Sequence, residues 1–302
     1  MDQLEAMRVL LMSVDTGSFS AAGRALRMPL ATVSRKVAEL ERHLGARLLL
    51  RTTRKLALTE AGTAYLASAR RILEEVGEAE RTASGEFRTP RGELVVTAPI
   101  LFGRLHILPI VTEFLASYPE INVRLRFSDR NLDLIDEHVD VAARIGPLPD
   151  SSLVATRTGS MRTVVCASPG LLADHGEPRI PDNLAALPCV SFDALSPASA
   201  WTFRHDGMRT VSVVVRPRCS VTTAEAAVWA AAQGVGATQV LHYQCADALR
   251  AGSLRLILAE FEPEPLPVHL IHAGRGELPL KVRVFLDFAV PRLRDMLRSL
   301  GG

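Results

Sequence analysis

Pro29-Leu30-Ala31-Thr32-Val33-Ser34-Arg35-Lys36-Val37-Ala38-Glu39-Leu40-Glu41-Arg42-His43-Leu44-Gly45 has the clearest period in the chain and decides the reading of its first sixty residues. Val33, Val37, Leu40 and Leu44 recur at spacings of four, three and four, a narrow apolar stripe on one side of a helix. At about 100° per residue, Ala31, Arg35, Ala38 and Arg42 centre on the other side. Small side chains let a backbone approach a groove, and arginines reach base edges or phosphates. The spacing predicts a helix over 29–43, with Pro29 at its first position and Gly45 as its C-cap.

Upstream, Leu4, Leu10, Leu11 and Val14 predict a short amphipathic helix that Asp15-Thr16-Gly17-Ser18 breaks. Ser18 is placed to cap a second helix, Phe19 to Leu26, whose Ala21, Ala22 and Ala25 allow close packing. Arg27-Met28-Pro29 forms a tight turn. Downstream, Leu48-Leu49-Leu50 and Leu56-Ala57-Leu58 flank Arg51-Thr52-Thr53-Arg54-Lys55, a hairpin with a basic tip. Nine Lys/Arg against two acids lie between Arg24 and Lys55, on a chain whose net charge is only +2. That local excess suits a polyanion, although a solvated basic face on a three-helix bundle has the same pattern.

The residues Gly17-Ser18-Phe19-Ser20-Ala21-Ala22, Thr32-Val33-Ser34-Arg35, Leu40-Glu41, Leu44-Gly45-Ala46-Arg47-Leu48, Arg51-Thr52-Thr53-Arg54 and Leu58-Thr59-Glu60-Ala61-Gly62 resemble the signature of LysR-type transcriptional regulators. The resemblance implies a winged helix-turn-helix over 1–58, with its third helix in the major groove of double-stranded DNA and its wing alongside. The residues it brings to DNA are Ser18, Leu30, Ala31, Thr32, Ser34, Arg35, Arg42, Arg51, Thr53, Arg54 and Lys55. The sequence departs from the family at Pro29, Leu30 and Ala31, where a hydroxyl cap, Gln and Pro are common. Leu30 and the Thr32 methyl suit thymine methyl groups, and Arg35 suits guanine. Leu49 stands in place of the usual wing Phe.

Thr59 is placed to cap a long helix reaching about Phe87. Leu66, Ala69, Leu73 and Val76 keep helical spacing, and Tyr65 and Ile72 widen the stripe. Such a helix can lie on its own domain or pair with a second copy. The family resemblance implies antiparallel dimerisation through Tyr65, Leu66, Ala69, Leu73 and Val76, with 59–90 as linker and hinge. Dyad-related half-sites would follow.

After Gly92 the pattern changes. Strand signals at Leu94–Thr97, Ile121–Phe127, Val139–Ile145, Thr163–Ala167, Val211–Val215 and Val268–His272 alternate with helical ones near Ala224–Gln233 and Lys281–Leu297. This predicts α/β units with mainly parallel sheets, whose ligands bind where strands end and helices begin. The junctions Thr97–Ile100, Ser128–Arg130, Arg144–Gly146 and Thr222–Ala224 are the candidates. The resemblance implies a two-lobed, periplasmic-binding-protein-like effector domain over 91–302. Its first lobe would be 91–162 and 266–302, its second 163–265. The whole is an α+β multidomain chain. The effector residues expected are Thr97, Pro99, Ile100, Ser128, Arg144, Thr222, Thr223 and Gln239. Ile100, Leu101 and Phe102 favour an aromatic or amphipathic effector, and Arg144 suits its carboxylate.

Other chemistry finds little support. His269 and His272 are spaced HxxH on an apolar strand, which turns them to opposite faces and away from a shared metal. GxSxG, HExxH and P-loop motifs are missing, and Gly234-Val235-Gly236 lacks the third glycine of a dinucleotide fingerprint. No enzyme activity, cofactor or metal is expected. Cys166, Cys189, Cys219 and Cys245 are widely spaced and read as buried thiols. Two alternatives remain: a thiol-based redox sensor on the same DNA-binding frame, and a cytoplasmic ligand-binding α/β protein without DNA function. The start carries no signal-peptide pattern, and no charge-free apolar run is long enough for a membrane span, so a cytoplasmic location is expected. Expected partners are DNA, the effector and a second copy of the chain. Family behaviour adds a tetramer, and RNA polymerase is a further candidate.

Overall fold

The computed structural model describes residues 2–51, 56–84, 89–130, 133–192, 200–205, 209–274 and 278–300. They divide into two compact units, Met1–Gly92 and Glu93–Gly302.

The first unit begins with α1 (Gln3–Asp15), α2 (Phe19–Leu26) and α3 (Leu30–Leu44). Each start has a local cause. The Asp2 carboxylate accepts the Glu5 N–H at 3.1 Å, and the Ser18 hydroxyl accepts the Ala21 N–H at 3.0 Å. Pro29 is the N-cap of α3, one residue earlier than expected, and supplies no side-chain cap. Gly45 ends α3 in the left-handed conformation. Val33, Val37 and Leu40 turn inward against Ala6, Val9, Leu10 and Ala22. Gly23 allows α2 to meet the turn before α3, because a Cβ there would stand 2.7 Å from the Met28 carbonyl oxygen. The hairpin follows as β1 (Leu49–Arg51) antiparallel to β2 (Leu56–Leu58). The Glu41 carboxylate holds its first strand by accepting the Leu48 and Leu49 N–H groups. Helix α4 (Glu60–Ser84) starts with the Thr59 hydroxyl accepting the Gly62 N–H at 2.9 Å.

The second unit holds two five-stranded sheets. The first has the order β4-β3-β5-β14-β6, from β3 (Gly92–Ala98), β4 (Ile121–Phe127), β5 (Val141–Ile145), β6 (Val154–Met161) and β14 (Leu266–His272). Its core is packed by α5 (Ile100–Phe102), a π-turn (Gly103–Ile107), α6 (Leu108–Ser117) and α10 (Leu280–Leu300). The stretch Ile100–Ser117 is apolar and long enough to cross a membrane, yet Leu101, Phe102, Ile107, Val111 and Phe114 are buried in this core. The second sheet has the order β11-β8-β12-β7-β13, from β7 (Thr163–Ala167), β8 (Cys189–Phe192), β11 (Pro217–Val221), β12 (Ala237–Leu241) and β13 (Arg255–Ile257). Around it lie α7 (Pro169–His175), α8 (Ala224–Ala232), α9 (His242–Arg250) and the hairpin β9 (Ala200–His205)–β10 (Arg209–Val214).

Both sheets are mixed, which corrects the expectation of mainly parallel pairing. β3 runs parallel to β5, and β8 to β11 and β12, but β14 is antiparallel to β5 and β6, and β7 to β12 and β13. The cause is a double crossover. The chain leaves the first sheet along β6 and enters the second as β7, with Arg162 alone between them. It comes back along β14, against the direction in which it left.

Candidate DNA interface and effector cleft

On α3 the apolar stripe faces the core, which leaves Leu30, Ala31 and Arg35 exposed, Thr32 and Ser34 partly so, and Arg42 exposed on the last turn. Leu30 is 52% exposed and stands outside the apolar core of the first unit. Among the described residues Arg35 has one loose i,i+4 ion pair, with Glu39 at 3.9 Å, and its side chain is 70% exposed. Lys36 points back and pairs with Glu5 of α1, so it braces the helix and takes no part in the outer face. The Ser18 hydroxyl oxygen accepts the Ala21 N–H in the α2 cap and keeps its own proton to donate. Arg51 lies on β1, and Thr53, Arg54 and Lys55 lie outside the described residues.

Helix α4 is partly claimed by its own unit. Tyr65 and Leu66 pack on the first core, Ala69 is fully buried, and Arg70 pairs with Asp15 of α1 at 2.7 Å. These three of the five expected dimer residues therefore face inward at least in part, because α1 lies along the first half of α4. Leu73 and Val76, further along, are partly exposed.

In the second unit, three of the four junctions converge. The Asp129 carboxylate accepts the Ile100 N–H at 3.0 Å, and the Ser128 N–H donates to the Ala98 carbonyl at 3.0 Å, which ties the first junction to the second. The Thr223 hydroxyl caps α8 by accepting the Ala226 N–H. Arg104, on the π-turn, donates to Glu225 in the first turn of α8 at 2.8 Å, so a first-sheet element meets a second-sheet element. Gly103 permits that turn, since a Cβ there would stand 2.4 Å from the Phe127 ring. Between the lobes lie three rings: Phe102 and His106 with centroids 5.0 Å apart, and Tyr243 from α9 at 5.6 and 5.4 Å from them. Burial drives the His106 imidazole down to about 4 and pushes the Tyr243 phenol up, with the charges of Asp129 and Glu225 adding to the latter. Arg162 and Glu262 clamp the two crossover segments with paired 2.8 Å hydrogen bonds.

Some expected effector residues are placed otherwise. Thr97 is fully buried, and its hydroxyl donates to the Arg126 carbonyl, because the end of β3 is still paired with β4. The Gln239 amide donates to the Thr202 carbonyl of β9 at 3.3 Å, since residue 239 of β12 faces the hairpin. Arg144 is buried near the end of β5, and desolvation lowers its basicity. Pro99, Ser128 and Thr223 are partly exposed, and Ile100 and Thr222 exposed, at the junctions that the Asp129–Ile100 and Arg104–Glu225 contacts bring together. Asp129 lies within the expected Ser128–Arg130 junction, whereas Arg104, His106, Glu225 and Tyr243 were not foreseen, and nothing local in the sequence sets those four apart.

Comparison with known proteins decides the family. Residues 4–63 match the bacterial regulatory helix-turn-helix protein, lysR family, and residues 87–294 match the LysR substrate binding domain. The chain is a LysR-type transcriptional regulator. It is 39% identical over 285 residues to an HTH-type transcriptional regulator of Xanthomonas campestris, covering 93% of this chain and 82% of that one. The regulator is also similar to the structure of CrgA, a LysR-type transcriptional regulator from Neisseria meningitidis, with TM-score 0.61 and 32% identity over 96% of this chain and 98% of that one. It is similar as well to full-length LysG from Corynebacterium glutamicum with bound effector Arg, with TM-score 0.58 and 25% identity, covering 98% and 99%. As a member of this family the regulator binds dyad-symmetric DNA, self-associates and responds to a small effector held between the lobes of its effector domain, and it is not an enzyme.

Proposed function

We propose that α3 reads the major groove through Leu30, Ala31, Thr32, Ser34 and Arg35, while Ser18, Arg42, Arg51, Thr53, Arg54 and Lys55 hold the flanking phosphates and minor groove. The observation that carries this reading is the outer face of α3, where an exposed leucine and a weakly held arginine stand on a helix whose other side is fixed in the core. Residues 1–58 form the DNA-reading part, 59–90 the linker, and 91–302 the effector domain, with lobes at 91–162 plus 266–302 and at 163–265. Two copies pair through the part of α4 that carries Leu73 and Val76, and Tyr65, Leu66 and Ala69 brace that helix against its own α1. Exposed Leu105, Leu108 and Leu115 near α6, with Trp229 on α8, support a second self-interface and hence a tetramer. The effector is a small aromatic or carboxylate-bearing molecule placed between Ile100, the ring cluster and the Thr222–Thr223 turn, with Arg104 or Arg144 facing its charge. RNA polymerase contact follows from a role in transcription in the cytoplasm.

Selection of duplex DNA from a random pool tests this, followed by a salt titration on the recovered site. A dyad-symmetric site with a steep salt slope is expected. Arg35→Ala should cost about 1–3 kcal/mol and relax selection at one guanine. Recovery of the same guanine with Arg35→Ala, at unchanged affinity, would overturn the base assignment.

A further inference from the structure

Helix α3 opens on an apolar surface. Leu30 is its first residue and is exposed, next to exposed Ala31. Pro29 before them supplies neither a side-chain cap nor an N–H. Leu30 stands outside the core that Val33, Val37 and Leu40 build on the other side of the same helix. A single exposed leucine is ordinary on a protein surface. Its place is what distinguishes this one, because it heads the helix that also turns Ala31 and Arg35 outward.

In a major groove a leucine can recognise one feature of a base. It has no donor or acceptor, so the polar atoms of the base edge are closed to it, and the C5 methyl group of a pyrimidine is what it can bury. Ser34 stands one turn further along α3 and is partly exposed. Its hydroxyl both donates and accepts, so it serves the O4 of thymine and the N4 amine of cytosine alike. These two side chains therefore detect the methyl group and do not distinguish the two rings. Thymine and 5-methylcytosine carry that methyl group, whereas uracil and cytosine lack it.

We propose that Leu30 makes the regulator a reader of the pyrimidine C5 methyl group, so that C5 methylation of a cytosine in its operator raises affinity. The inference rests on the reading of α3 as the major-groove helix. Leu30 and Arg35 are separated by about 7.5 Å of helix rise, and successive base pairs by about 3.4 Å. The methyl group is thus expected about two base pairs from the guanine that Arg35 selects. A DNA cytosine methyltransferase becomes an input to the regulator beside its effector.

The test uses the full-length regulator and the duplex recovered by selection, altered one base at a time. Replacing a thymine by deoxyuridine removes a methyl group and nothing else. The expected result is about fourfold weaker binding per half-site at a pyrimidine about two base pairs from the Arg35 guanine. With cytosine paired to guanine at that position, binding should be as weak as with uracil, and 5-methylcytosine should restore it. Leu30→Ala should bind all four duplexes alike, with the wild-type salt slope because no charge is lost. Leu30→Met keeps an apolar contact and should keep the methyl preference. Equal affinity for thymine and uracil duplexes at every position, or a methyl preference that survives Leu30→Ala, would overturn the proposal. A dyad-symmetric site with a steep salt slope and no response to uracil would sink this inference alone. Failure to recover any site would take the reading of α3 down with it.

Discussion

Replacing Gly23 with alanine sets two well-defined effects against each other. Gly23 lies inside α2, and glycine-to-alanine in a helix interior is ordinarily stabilising by about 1 kcal/mol. Here the new methyl would meet the Met28 carbonyl oxygen at 2.7 Å and the Val33 Cγ2 at 3.6 Å. The first contact is with backbone, in a turn where Met28 N–H already donates to the Gly23 carbonyl at 2.8 Å and Arg27 holds a φ of 54°. The obstacle cannot rotate away, so α3 must shift with it. Overpacking of this kind costs about 1–3 kcal/mol. Against the helix gain, the net expectation for Gly23→Ala is a loss of about 1 kcal/mol. DNA affinity should fall about tenfold, since one misplaced base contact is worth about 1–3 kcal/mol. Hydrogen exchange of the α2 and α3 amides reports the first unit separately from the second, and DNA titration reports the placement of α3. Ala25→Gly, on the exposed side of the same helix, is the control. It should lose about 1 kcal/mol from propensity alone and keep its DNA affinity once folded. Slower exchange in Gly23→Ala, with DNA binding intact, would refute the close-approach argument.

Two further outcomes follow from individual side chains. Glu41→Ala removes a charged acceptor from the Leu48 and Leu49 N–H groups and should destabilise the first unit by about 2 kcal/mol, with faster exchange at both amides; unchanged exchange there would refute it. His106 titrates at about 4 in the fold because burial disfavours its charged form, against 6.5 ordinarily. The unfolded chain therefore binds its proton more readily between those values. Stability present above about pH 6.5 should fall as pH drops towards 4, and His106→Phe should flatten that limb in urea denaturation; identical pH profiles would count against it.

How legible each part was in the sequence depended on the range of the forces involved. Helix α3, its Gly45 stop, the Ser18 and Thr59 caps and the β1–β2 hairpin were all readable, because they arise from side-chain periodicity and hydrogen bonds spanning three or four residues. The exposed face of α3 followed directly from the stripe on its other side. Pro29 was misplaced by one residue, as helix ends often are when no side chain caps them. Thr97 was read as facing a ligand because it stands near a strand end, and Gln239 because of the family resemblance. Pairing with Arg126 and Thr202, which are 29 and 37 residues away, claimed them instead.

By itself, the sequence determined the family, the DNA-reading helix and the alternation of strands and helices, since each rests on local pattern. The tertiary structure decided the mixed direction of the sheets, the Arg104–Glu225 and Arg162–Glu262 pairs and the three rings between the lobes. These last depend on a chain that crosses between two sheets and comes back about a hundred residues later. Contacts between such distant residues leave no period in a sequence, because the spacing that matters is set by the crossover and not by the helix or the strand.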